Sequence, residues 1–195
     1  LPGAKVVAAL SFPSGMYSDE QLSRNIEKTR QLGAKIADSP AQLAKGVDGI
    51  LILHDDGSKH LELARLFAEM GKPVFVDKPF EVNVKAAEEL VDVFRKNKCP
   101  LFSASSLRFS NELRGCLENP QAGQVRSAMT YSPFDPRPSM PGWIYYGVHA
   151  VEPLFALMGR GCREVRCVDS ATGPCAIGVW PDGRIGLAKG TIGGV

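Results

Sequence analysis

The sequence predicts an α/β fold: a partial parallel sheet in the first part, then part of an α+β domain with a mainly antiparallel sheet. Three observations carry this expectation. As far as about Leu117, short apolar runs alternate with amphipathic stretches that often close on glycine, the pattern of crossover units. One such unit, Asp48–Phe80, reads in full as strand, helix, strand, and a connection of that length favours a parallel, right-handed crossover. Beyond Gly123 the pattern changes to side-to-side alternation and a hairpin with a short glycine-containing loop, which signals antiparallel pairing.

Taken in order, Lys5–Leu10 reads as a strand. Ser18 with Gln21 makes a capping box for a helix through about Leu32, with Leu22 and Ile26 one turn apart and Gly33 as the stop. Ala34–Ile36 is a short strand or an extended link, and Ser39, Pro40 and Gln42 repeat the cap signature for a brief helix closing at Gly46. Gly49–Leu53 has the composition of a strand buried on both faces. Ser58 then caps a helix with Leu61, Ala64, Phe67 and Ala68 on one face, Gly71 ends it, and Pro73–Val76 is the returning strand. Asn83 caps a helix striped by Ala87, Leu90, Val91 and Phe94, and Pro100–Ser103 and Ser110–Leu117 add a strand and a helix.

In the second part, Val125–Tyr131 reads as a half-exposed strand and the proline-rich Ser132–Gly142 as loop. A helix is expected over Tyr145–Met158, with Val148, Val151, Leu154, Phe155 and Met158 on its apolar side. Glu164–Val168, Ala176–Trp180 and Arg184–Ala188 complete an antiparallel sheet. The change of pattern sets a domain boundary between residues 122 and 123, with 1–122 as the first domain and 123–195 as the second.

The net charge is +2, and no basic run interleaves with aromatics, so nucleic acid is not an expected partner. No apolar stretch reaches the roughly 20 residues that cross a bilayer, so no membrane span is expected. The five cysteines form no Cys-x-x-Cys pair, and their odd number argues against a closed disulfide framework. They read as reduced thiols in a cytoplasmic setting.

In open parallel sheets ligands bind beyond the carboxyl ends of the strands. His54–Gly57 and Asp77–Phe80 are therefore the leading candidates for chemistry. An ammonium at Lys78 can hold a sugar hydroxyl or polarise a reacting oxygen; the plainer alternative is a solvated lysine in a turn stiffened by Pro79. His54, Asp55, Asp56 and His60 are competent metal ligands; the plainer alternative is a loop that His60 supports from the helix without a metal. His149, beside an apolar helix face, is either a packed core residue or a proton carrier.

The segment Gly71–Pro79, GKPVFVDKP, follows a buried strand and a helix with a histidine near its start. It resembles the nucleotide-binding half of the Gfo/Idh/MocA oxidoreductases, with Asp77-Lys78-Pro79 where the family has Glu-Lys-Pro. Tyr145–His149 is similar to that family's Asp-x-Gly-x-His helix: Gly147 and His149 match, and Tyr145 occupies the place of the Asp. Arg108-Phe109 and Gly123-Gln124-Val125 resemble further landmarks.

The resemblance implies a Rossmann-type first domain, NAD or NADP as cofactor, and hydride transfer to or from a hydroxyl or carbonyl carbon of a sugar or polyol-like substrate. It implies that Lys78 orients and assists electrostatically, that His149 is the general acid/base, and that Tyr145 is an auxiliary proton donor. Cofactor contacts are implied at Ser11, His54, Asp55, His60, Asp77 and Lys78. Ser11 stands where dinucleotide folds often place an acid on the ribose 2′-hydroxyl, and a neutral side chain there tolerates a 2′-phosphate better.

No Gly-x-Gly-x-x-Gly turn occurs between a strand and a helix. The resemblance begins at the family's second strand and stops within the second domain's sheet. The expectation is a fragment that binds cofactor poorly by itself. The expected partners are a small carbohydrate-like substrate and a second copy of the chain through the C-terminal sheet. Tyr145, Ser11 and the missing glycine turn favour one alternative, a non-catalytic nucleotide-binding or scaffold module of the same fold. A metal-dependent hydrolase using the His54–His60 loop is a third reading.

Overall fold

The computed structural model describes residues 3–121 and 123–193. Packing divides the chain into two compact units, Leu1–Ser103 and Ala104–Val195. The boundary expected from the sequence falls at Ala122, which lies outside the described residues. The segment ahead of it packs with the second unit, because its helix and its 3-10 turn both rest on the helix that carries His149.

In the first unit, β1 (Ala8–Ala9) pairs in parallel with β2 (Lys35–Ile36) across α1 (Asp19–Gln31). Both bonds of the Ser18–Gln21 capping box form at the start of α1. Ser39 caps the short α2 (Pro40–Leu43), which has proline in its first turn. A second parallel sheet runs in the order β3 (Ile50–Ile52), β4 (Val74–Val76), β5 (Leu101–Ser103), with Ile50 opposite Val74 and Val74 opposite Leu101. The crossover helices are α3 (His60–Glu69) and α4 (Val84–Lys96).

Two local expectations are corrected here. Ser58 is not the cap of α3: Asp56 caps a 3-10 turn, Gly57–Lys59, by accepting the Ser58 N–H, and α3 then starts without a side-chain cap. The strand expected to be buried on both faces is covered on one. Ile50 and Ile52 pack with Phe67, Leu90 and Phe94 from the two helices, whereas Leu51, on the other side of the pleat, is 49% exposed.

The second unit opens with a 3-10 turn, Ser106–Phe109, and α5 (Asn111–Glu118), capped by Ser110. Its four-stranded sheet has the order β6-β9-β8-β7, from β6 (Ser127–Pro133), β7 (Glu164–Val168), β8 (Cys175–Val179) and β9 (Ile185–Thr191). The β7–β8 and β8–β9 pairs are antiparallel, while β6 runs parallel to β9. At the tip of the β8–β9 hairpin, the Arg184 guanidinium hydrogen-bonds Asp182 and holds its carboxyl below the usual carboxylate range.

The expected helix over Tyr145–Met158 forms as α6 (Val148–Met158). Tyr145 and Tyr146 belong to the turn before it. A Cβ at Gly147 would lie 2.8 Å from the Trp143 carbonyl oxygen and 2.9 Å from its Cα, so that turn closes only because residue 147 has no side chain. Ala150, Leu154 and Met158 of α6 bury against Trp180 and Ala188 of the sheet region. The Trp180 indole N–H donates to the Gly159 carbonyl at 3.1 Å, which satisfies the one polar atom of a 2%-exposed side chain. Among the described residues, no helix is long and apolar enough to cross a membrane.

Candidate functional site

In the first unit the loops after β1, β3 and β4 are joined by side chains (β1 through 13 and 14, β3 through 54–57, β4 through 77–80). The Asp77 N–H continues the β3–β4 ladder by donating to Ile52 O at 2.9 Å, and Lys78 follows it, half-buried. His60, the first residue of α3, is fully buried and faces two of these loops. Its Nδ1 lies 2.8 Å from Pro79 O and its Nε2 2.8 Å from His54 O. A single ring thus ties the chain after β3 to the chain after β4. Gly57 allows the close approach, since a Cβ there would stand 2.8 Å from Pro79 Cγ.

His54 links the third loop. The Asp56 N–H donates to His54 Nδ1 at 3.1 Å, so the ring proton sits on Nε2, which donates to Pro13 O at 3.0 Å. Ser14 donates to Asp55 Oδ2 at 2.6 Å. The other carboxylate oxygen, Asp55 Oδ1, is buried and has no hydrogen-bond partner among the described residues. A buried acceptor of this kind is costly unless something donates to it, and a ribose hydroxyl is a donor of the right type. The residues present therefore fit a nucleotide at this edge. Ser11 is exposed and is not among the residues joined by these bonds; Ser14, three residues on, makes the contact to Asp55.

His54 and His60 direct their ring nitrogens at backbone groups of these loops. Among the described residues, no group of three or more His, Cys, Asp or Glu side chains is placed to hold a metal ion.

The second unit places His149 as the second residue of α6, half-buried. Its Nδ1 lies 2.8 Å from the hydroxyl oxygen of Ser105, and its ring sits 5.6 Å from that of Tyr146. One turn further, Glu152 accepts the Ser105 N–H and lies 4.0 Å from Arg108 Nε. Tyr145 packs edge-on against Tyr146 with centroids 4.8 Å apart, and the Arg137 guanidinium stands over its ring at 5.6 Å. An imidazole can carry a proton on either ring nitrogen, so a histidine here is chemically able to exchange one.

Three contributors escape sequence reasoning: Ser14, Ser105 and Glu152. Ser105 lies just beyond β5, at a strand end of the kind that marked Lys78, but a serine there stands out no more than a solvated one. Ser14 and Glu152 carry no motif.

Residues 15–105 match the GFO_IDH_MocA family model, described as an oxidoreductase family with an NAD-binding Rossmann fold. The comparison with curated proteins gives no match. Among solved structures, a probable dehydrogenase from Thermotoga maritima is similar at 20% identity with a TM-score of 0.78, covering 96% of this chain and 62% of that one. Myo-inositol 2-dehydrogenase from Lactobacillus plantarum is similar at 17% identity and TM-score 0.78, covering 97% and 62%. Scyllo-inositol dehydrogenase from Lactobacillus casei, with bound NAD(H) and scyllo-inositol, is similar at 16% identity and TM-score 0.76, covering 96% and 62%. At these identities the likeness concerns the fold. The chain spans about three-fifths of the length of these structures.

Proposed function

We propose, from the match of residues 15–105 to the Gfo/Idh/MocA oxidoreductase model with its NAD-binding Rossmann fold, that the intact protein is an NAD(P)-dependent dehydrogenase of a sugar or polyol-like substrate. The observation that carries the reading is the edge formed by the loops after β1, β3 and β4, where Asp55 Oδ1 is buried, 3.5 Å from His54 Nδ1 and without a hydrogen-bond partner among the described residues. Bound NAD(P) supplies the hydride donor or acceptor. Asp55 holds a ribose hydroxyl, and His60 keeps the loops of Asp55 and Lys78 in register. Asp77, His54 and Ser11 line the same cofactor region in this reading.

Lys78 orients the reacting carbon's oxygen and offsets negative charge that develops on it. His149 takes the hydroxyl proton during oxidation and returns it during reduction. Tyr145 is an auxiliary proton donor. The first unit, Leu1–Ser103, serves the cofactor, and the second, Ala104–Val195, serves the substrate and the pairing of subunits through its sheet. The inositol dehydrogenases of similar fold support a polyol as the first substrate class to try.

In the full-length protein, NADH or NADPH should quench or enhance fluorescence saturably, and polyols should be turned over. Lys78→Ala and His149→Ala should each lower kcat by about 100-fold or more, the scale of a lost acid/base or electrostatic contribution. Tyr145 in place of an acid favours a second reading, a nucleotide-binding module without turnover. Saturable cofactor binding with no turnover of any polyol, and no effect of either substitution beyond binding, would establish that second reading.

A further inference from the structure

Ser105 has no exposed surface, and a buried hydroxyl is costly unless it is hydrogen-bonded. Its oxygen accepts the Leu107 N–H at 3.2 Å and meets His149 Nδ1 at 2.8 Å. Its own N–H donates to the Glu152 carboxylate. Residues 149 and 152 lie three apart on α6 and so share one face of it. The same face therefore grips Ser105 twice, by side chain and by backbone. Glu152 also lies beside Arg108 of the 3-10 turn that Ser105 opens.

We propose that Ser105 is the positioning residue of His149: its buried hydroxyl fixes Nδ1, so that ring orientation is set and the proton is exchanged at Nε2. The inference rests on the role given to His149 under the proposed function. A hydroxyl suits this task because its oxygen can accept a second hydrogen bond. It accepts from Nδ1–H both in the neutral ring, whose Nε2 is bare, and in the imidazolium, so the proton that is gained and lost is the one on Nε2. Glu152 fixes the serine and not the ring, by holding the backbone from which the hydroxyl projects.

The test uses full-length protein labelled with 15N in its histidine rings, as wild type, Ser105→Ala and Ser105→Thr, with His149→Ala to assign the signals. In wild type the Nδ1 resonance of His149 should report a hydrogen-bonded nitrogen and one dominant tautomer of the neutral ring. Ser105→Ala should shift that resonance and mix the tautomers, and Ser105→Thr, which keeps a hydroxyl, should restore them. With myo-inositol and NAD⁺ as probe, Ser105→Ala should lower kcat about tenfold at nearly constant KM, the effect of one hydrogen bond lost from the transition state.

Superimposable Nδ1 signals in wild type and Ser105→Ala would overturn the proposal, as would a kcat unchanged in Ser105→Ala when His149→Ala has lost activity. Should Ser105→Ala fail to fold, the wild-type spectrum decides: an Nδ1 signal typical of a water-exposed ring sinks the proposal. Turnover by His149→Ala equal to wild type would instead overturn the proposed function, while the Nδ1 signal would still report on the contact itself.

Discussion

Two loops hang on the imidazole of His60. It is fully buried, and its nitrogens reach the carbonyl oxygens of His54 and Pro79. Removing the ring opens a cavity and leaves at least one buried acceptor without its donor, so both costs add. His60→Ala should therefore lower the unfolding free energy by about 2–4 kcal/mol, read as a lower urea midpoint at constant slope. His60→Gln should recover part of the loss by keeping a donor. In the full-length protein, the dissociation constant for NADH should rise in His60→Ala, because the freed loops carry Asp55 and Lys78. Of these residues, Lys78 and His60 are visible in the sequence by their distance from a strand end and by a nearby proline. Ser105 is not, since a serine after a three-residue strand has no spacing that sets it apart from a solvated one.

At the scale of elements, capping was easy to read and packing direction was harder. Ser18, Ser39 and Asn83 each accept the backbone N–H expected of a cap, because the signal is chemical and local. Ser58 failed because Asp56, two residues earlier, makes a 3-10 turn before the helix begins. Asn83→Ala should thus destabilise by about 1 kcal/mol in thermal or urea unfolding, and Ser58→Ala by a few tenths at most. Equal losses would restore Ser58 as the cap. The apolar stripes were displaced: α4 buries Leu90, Val93 and Phe94, while Val91 is 38% exposed. Val91 and Val93 both fit a 3.6-residue period around Leu90 and Phe94, and only contact with α3 and the sheet selects between them. On α6, Phe155 is likewise 38% exposed, and Ala150 and Pro153 take the buried places. The parallel pairing of β6 with β9 was invisible because strand direction across a sheet depends on partners distant in sequence.

For the whole molecule, the two hydrophobic clusters set how damage spreads. One gathers Phe67, Leu90 and Phe94 around β3 and β4, and the other gathers Leu154, Met158 and Trp180 against the mixed sheet. Phe67 is 2% exposed and Met158 is 1% exposed, so truncating either to alanine leaves a cavity costing about 2–5 kcal/mol. Cavities act on the side chains that line them, and local opening follows the affected cooperative unit. Phe67→Ala should speed amide hydrogen exchange in β3 and β4 and leave β8 and β9 near their wild-type rates; Met158→Ala should do the reverse. A uniform rise throughout the chain in either variant would mean that the two cores unfold as one. The functional consequences divide in the same way. Phe67 packs in the core of the sheet whose loops are assigned to the cofactor, so its loss should appear first as weaker NADH binding by full-length protein. Met158 anchors the helix that carries His149, so its loss should appear first in kcat.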